Sequence, residues 1–147
     1  MLLVRRGTEP YAGTWAQPGG FVEESELLEV AASREIEEEC GIKIPSSEFA
    51  PVGIFSLSRL NQVHVLFLAL LPEPLEVRAS PPEGLDAAWF SLQDFPFTDV
   101  WEPLKSVDVS LVYQYVKDGR YFFFHRSDES HRVVLTSTSL EKMWTDL

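Results

Sequence analysis

Apolar and polar positions along the chain mark out strands at both ends and a helix between them. Leu2-Leu3-Val4 reads as a short buried strand closed by Arg5 and Arg6. Residues 7–20 are loop-like, because Gly7, Pro10, Gly13, Pro18, Gly19 and Gly20 punctuate them. Phe21-Val22-Glu23 has the character of a brief strand. From Ser25 to Cys40 the pattern is helical, with Ser25 placed to cap the start and Gly41 following the last turn. Pro45 and Pro51 bracket a loop. Residues 52–59 and 62–71 are rich in Val, Ile, Phe and Leu and predict two strands, a hairpin around Leu60-Asn61. A proline-rich loop, 72–84, separates them from a strand at Leu85–Phe90. Residues 102–117 fit a helix through Leu104, Val107, Leu111 and Tyr115 and also alternate with period two; their length favours the helix. Tyr121–Phe124 and Val133–Thr136 predict a closing hairpin turning through the polar 127–131. Strands, helix, strands, helix without regular βαβ alternation is an α+β order.

Composition narrows the class. The 147 residues suit one domain, 1–147, and the 45% hydrophobic fraction supports a core. A single cysteine, Cys40, excludes an internal disulfide and a four-cysteine metal ribbon. No apolar run approaches the ~20 residues of a membrane span, and the apolar start is too short for a secretory signal. These features predict a soluble, cytoplasmic protein with no membrane partner. The net charge of −11 repels a phosphate backbone, which argues against nucleic-acid binding. Small phosphorylated ligands stay open, provided a divalent cation bridges the two negative parties.

The predicted helix carries the chemistry. At 100° per residue Leu28, Ala31 and Ala32 share one face, the natural core face. The same stripe continues into Glu35, Glu38 and Glu39, whose i, i+3, i+4 spacing aims three carboxylates one way. Glu26, Glu29, Ser33 and Glu37 fall opposite, as an ordinary solvated face. The acidic stripe repels itself and crowds the negative end of the helix dipole, at a cost of about 1 kcal/mol or more at low salt. A hard divalent cation, Mg²⁺ first and Mn²⁺ as its substitute, is the simplest compensation for an all-oxygen donor set. A solvated acidic helix end is the competing reading of the triad alone.

Gly20, Glu26, Arg34-Glu35-Ile36, Glu38-Glu39 and Gly41-Ile42 stand at the nine specified positions of the Nudix box. The segment Gly20–Ile42 therefore resembles that family far more specifically than a lone glycine motif would. Trp15-Ala-Gln-Pro-Gly-Gly20 resembles the usual lead-in to the box, and Ala88-Trp89-Phe90-Ser91-Leu92 a later strand and turn. The resemblance implies a Nudix fold, a mixed β-sheet between helices. It also implies a Mg²⁺-dependent hydrolase cleaving a nucleoside diphosphate linked to a moiety X into a nucleoside monophosphate and phospho-X. Carried over by position, Glu35, Glu38 and Glu39 are the metal ligands, with Glu38 and Glu39 also in the catalytic set. Arg34 orients a carboxylate, Gly20 and Gly41 permit tight loops, and Glu26 is a secondary member. The family's proton acceptor is a box glutamate or one on a later loop; Glu83 is the later candidate, with an exposed loop acid as the alternative. The intact box argues against the other function considered, a non-catalytic nucleotide-binding sensor.

Weaker candidates surround this set. Trp15, Phe21, Trp89 and Trp101 are placed to stack on a nucleobase, although packing is favoured for any single one. Arg5 and Arg6 end the first strand and are candidate phosphate or ribose contacts. His64 lies in an apolar strand and reads as a packed or hydrogen-bonded histidine; His125 and His131 lack metal-ligand spacing. Phe95-Pro-Phe97 is a faint echo of NADH-cleaving relatives and does not decide the substrate. The chain starts almost on its first strand, so either that start is truncated or the closing hairpin or another subunit completes the sheet. With the aromatic run Tyr121–Phe124, this points to a homodimer.

Overall fold

The protein is described by a computed structural model, which covers residues 1–57, 61–91, 93–101, 122–125 and 134–137. In chain order the elements are β1 (Leu2–Arg6), β2 (Trp15–Ala16), α1 (Leu28–Cys40), a 3₁₀ turn (Ser46–Glu48), β3 (Ala50–Leu57), β4 (Gln62–Leu68), β5 (Gly84–Trp89), β6 (Phe122–His125) and β7 (Val134–Ser137). The helix expected at 102–117 and the turn at 127–131 lie outside the described residues. The chain divides into two compact units, Met1–Ala50 with Ala69–Val107, and Pro51–Leu68 with Asp108–Leu147.

In the first unit β1 is the middle of a three-stranded sheet ordered β2-β1-β5, antiparallel throughout. Val4 faces Ala16, and Leu2 faces Trp89 across the other side. Leu2 and Val4 point to one face, where they join Cys40, Ile42 and Ile44 with Ile36, Phe49, Val77 and Trp89 against them. Leu3 points the other way and is fully buried as well. Burial on both faces explains why β1 begins as an unbroken apolar run. The sheet ladders are antiparallel, and one isolated parallel bridge joins Trp15 to Val100.

Helix α1 ends as the sequence predicts. Gly41 adopts φ 70°, and its N–H donates to the Glu37 carbonyl at 2.9 Å, the left-handed cap that glycine makes cheaply. Its start differs from expectation. Ser25 is not the cap: it has φ 66°, and the helix begins three residues later behind an extended Leu27 with no side-chain cap. A turn closed by Glu26 N–H donating to the Glu23 carbonyl (3.1 Å) occupies the intervening residues. Leu28 is not a core residue either, being 45% exposed. The inward arc instead runs through Ala31, Ile36 and Cys40. Phe21–Glu23 forms no strand, and β2 lies inside the stretch read as loop.

The second unit holds the bonded pair β3-β4 and the antiparallel pair β6-β7, in which Phe122 faces Ser137 and His125 faces Val134. These match the two hairpins read from the sequence to within a few residues, and Asn61 beside the first turn takes φ 51°. Among the described residues no helix is long and apolar enough to cross a membrane.

Candidate active site

The C-terminal half of α1 and the loop from Gln17 to Phe21 build the site. Gly20 lies close against the Glu35 side chain. A Cβ there would strike the Glu35 carboxylate, lying 2.7 Å from its carbon. One residue earlier, the Gly19 N–H donates to Glu39 Oε2 at 2.9 Å, so the glycine loop lies directly on the acidic end of the helix.

Arg34 is the hub of the other acids. Its Nε and Nη2 donate to the two oxygens of Glu26 at 2.9 and 3.0 Å, a bidentate grip. Its Nη1 donates to Glu35 Oε1 at 2.7 Å and Glu38 Oε2 at 2.9 Å, and Nη2 reaches the Phe21 carbonyl at 2.9 Å. Glu26 also accepts from the Glu23 N–H at 2.9 Å. Arg34 holds the Glu26 carboxyl below its ordinary value, with that backbone bond helping. In turn the bonds from Glu26 and Glu35 hold the guanidinium firmly charged. Glu26 and Ser33 thus do not belong to a solvated face. Glu26 is nearly enclosed, and the Ser33 hydroxyl donates to the Ile44 carbonyl at 2.6 Å.

The three box carboxylates divide between two sides of this hub. Glu39 turns into a cleft of about 270 Å³ lined by Val4, Arg6, Thr8, Ala16, Gln17, Gly19, Phe21 and Glu83 as well. Burial pushes its carboxyl up to about 7, opposed by the Gly19 N–H and reinforced by the charges of Glu35 and Glu83, with Arg6 opposing. Glu38 instead follows Arg34 onto the outer face of α1, where its side chain is 57% exposed. A larger but more open depression of about 360 Å³ lies there, lined by Val30, Ser33, Arg34, Glu37 and Glu38. The enclosed cleft, which gathers charge from three elements, is the better site.

The remaining candidates separate in the same way. Glu83 and Arg6, from the loop before β5 and the end of β1, share the cleft with Glu39. Phe21 stands on the same cleft and is 77% exposed. Arg5 does not reach it, its Nε donating to the Gly13 carbonyl at 2.9 Å. Trp15 packs edge-on against Phe90 (4.9 Å between centroids), Trp101 is buried with Arg6 above its ring, and Trp89 donates to the Leu75 carbonyl. His64 bonds Gln62 at 3.0 Å, as its sequence setting suggested. Cys40 is wholly buried, and burial raises its thiol to about 12.

Gln17 was not singled out in the sequence. Its Oε1 is the buried side-chain polar atom without a hydrogen-bond partner among the described residues. The signal for it was a lone amide between the strand residue Ala16 and the Pro18-Gly19-Gly20 turn. Among the described residues no three His, Cys, Asp or Glu side chains already form a cluster that could hold a metal. Even so, the donor set fits a hard cation. The charge of Glu35 acts on Glu39, each of the two has one oxygen in a hydrogen bond among the described residues, and Glu83 adds charge across the cleft.

A model of the NUDIX domain matches residues 1–110. An ADP-ribose pyrophosphatase of Methanocaldococcus jannaschii is 34% identical over 99 residues, 65% of this chain and 57% of that protein. The oxidized purine nucleoside triphosphate hydrolase of Mus musculus is 30% identical over 119 residues, 80% of this chain and 74% of its own. The crystal structure of a NUDIX hydrolase from Nitrosomonas europaea superposes with a TM-score of 0.69 at 30% identity, covering 84% of this chain and 68% of that one. The present chain thus spans little more than half the length of the archaeal relative. The glycine loop bonds the acidic end of α1, Arg34 ties Glu26, Glu35 and Glu38 together, and the domain model runs through all of the box residues: this chain belongs to the Nudix family.

Proposed function

We propose that this chain is a divalent-cation-dependent pyrophosphohydrolase that splits a nucleoside diphosphate linked to a second moiety into a nucleoside monophosphate and the phosphorylated moiety. The observation that carries the reading is the cleft in which Glu39 and Glu83, from elements far apart in sequence, face a basic Arg6 and an exposed Phe21. A structural acidic helix end would have no reason to recruit a second acid from a distant loop.

In this reading Glu35, Glu38 and Glu39 would hold Mg²⁺ or Mn²⁺. Bound there, the ion neutralises pyrophosphate oxygens and acidifies a water. Arg34 would keep the Glu35 carboxylate in place through the bond from its Nη1 to Oε1. Arg6 takes a phosphate or ribose oxygen, with Arg5 in reserve outside the cleft, and Phe21 offers its face to the base in preference to Trp15. Glu83 accepts the proton as water attacks phosphorus in line and the P–O–P bond breaks, leaving the pair of electrons on the departing phosphate. Residues 1–147 act as one domain, in the cytoplasm, as a homodimer whose contact includes the Tyr121–Phe124 run; no nucleic acid is a partner.

The names of the two relatives make ADP-ribose and nucleoside triphosphates the first substrates to try. The test is a panel of ADP-ribose, nucleotide sugars, dinucleotides and triphosphates with Mg²⁺ or Mn²⁺, reading nucleoside monophosphate by chromatography. Turnover that stops in EDTA supports the proposal. Folded protein that binds a member tightly and hydrolyses none overturns it in favour of a binding module.

A further inference from the structure

The loop that carries Glu83 is fixed by backbone alone. Among the described residues no side chain bonds to the Glu83 carboxylate, so its place in the cleft depends on where its main chain is held. Three features hold it. The Gly7 N–H, one residue past β1, donates to the Glu83 carbonyl at 2.7 Å. The Gly84 N–H donates to the Ser80 carbonyl at 3.0 Å and closes the turn from behind. Finally, the β1–β5 ladder shifts register: Arg5 pairs with Asp86 but Arg6 pairs with Gly84, so Leu85 is an extra residue bulged from the strand and 57% exposed. Bulges beside sites re-aim the side chains next to them.

Gly7 has no other reason to be glycine. Its backbone lies outside the left-handed region that Gly13, Gly19 and Gly41 occupy. What it lacks is room. A Cβ there would overlap the Pro82 carbonyl oxygen, lying 3.0 Å from that carbonyl's carbon and 3.2 Å from the Glu83 oxygen. Gly84, one residue beyond Glu83, is different: a Cβ on it meets nothing closer than 3.6 Å.

We propose that Gly7, together with the bulge at Leu85, is the positioning device of Glu83: the missing side chain lets the loop close on β1 and brings this carboxylate over the cleft beside Arg6. The inference rests on the reading of Glu83 as proton acceptor. A methyl at position 7 would push the Pro82–Glu83 backbone outward by about an ångström, a displacement that costs on the order of 100-fold when it falls on a reacting group.

The experiment is a double-mutant cycle on hydrolysis with Mg²⁺, using the panel's best substrate. Gly7→Ala is expected to lower kcat about 10- to 100-fold with KM changed less than about threefold, and Gly84→Ala to leave both unchanged. In a Glu83→Gln background Gly7→Ala should cost nothing further, because two changes acting through one group do not add. Deletion of Leu85, which restores a regular ladder, makes the same prediction through an independent change and serves if Gly7→Ala fails to fold. Wild-type kcat in Gly7→Ala overturns the inference. So does a full additional loss on top of Glu83→Gln, with the catalytic reading of Glu83 left standing. Wild-type kcat in Glu83→Gln itself overturns that reading, and this inference with it.

Discussion

Glu39 sets the stability of the cation-free protein against its chemistry. Glu39→Gln keeps the size and the oxygen that accepts the Gly19 N–H at 2.9 Å, and removes only the titrating charge. Burial, with the charges of Glu35 and Glu83, lifts this carboxyl from 4.5 to about 7. At about 1.4 kcal/mol per tenfold, such a lift corresponds to roughly 3 kcal/mol, and water on its open side reduces that to ~2. The sign follows from proton binding. Between pH 4.5 and about 7 the folded chain holds a proton that the unfolded chain has released, so wild-type stability falls as pH rises through that window. Glutamine feels no such fall. In EDTA, urea unfolding of the two proteins should give the variant an advantage of about 2 kcal/mol at pH 8 that is absent at pH 4.5. Subtraction cancels the other carboxylates common to both. Added Mg²⁺ should then raise the melting temperature of the wild type more than that of the variant, while the variant loses at least about 100-fold in kcat. An offset between the two proteins that is equal at pH 4.5 and pH 8 would refute the account of a charge stored in the cleft.

Other outcomes follow from the same contacts. Leu3→Ala opens the fully buried centre of β1 and should cost about 3 kcal/mol, seen as a melting temperature lower by roughly 10 °C, with no change in the substrate preferred. Arg34→Lys keeps the charge and loses the fork that grips Glu26, Glu35 and Glu38, so kcat should fall tenfold or more in steady-state assays. In the wild type the depressed Glu26 carboxyl adds stability above its ordinary value that is lost as pH falls through its lower folded value. Melting curves between pH 3 and 5 should show a weaker acid dependence in Arg34→Lys.

Much of the frame was legible because its signals are local. The Leu2–Val4 run, the glycine after Cys40 and the strand-like Leu85–Phe90 stretch each depend on a few neighbouring residues, and β1, the α1 cap and β5 stand within a residue or two of where these place them. The start of α1 was not legible. Ser25 carries a capping side chain, but a turn between Glu23 and Glu26 takes up the preceding residues and the helix begins behind an uncapped Leu27. Nor could a helical wheel locate the core without its neighbours: it made Leu28 an inward residue, whereas Cys40 and Ile36 meet Ile42, Ile44 and β1. The place of Glu83 was not legible either: the Gly7 and Gly84 N–H bonds and the bulge at Leu85 hold the loop before β5, and Glu83 lines the cleft there.

The division of the glutamates follows from the same wheel. Glu38 stands one turn after Arg34, so the guanidinium that holds Glu35 and Glu26 can reach it directly. Glu39 lies a further 100° round, beyond that reach, and meets the Gly19 N–H and the cleft. Without a cation, the acids within Arg34's reach are neutralised by it, while Glu39 meets its cost by holding a proton more tightly. Arg34 therefore neutralises an otherwise repulsive helix end, and on the proposed reading it would also compete with a cation for Glu38. A guanidinium suits this balance, because its fork can keep Glu26 with two nitrogens while the third releases Glu38. A single ammonium could keep one acid or the other, so the conservative exchange at position 34 should damage the chemistry more than the fold.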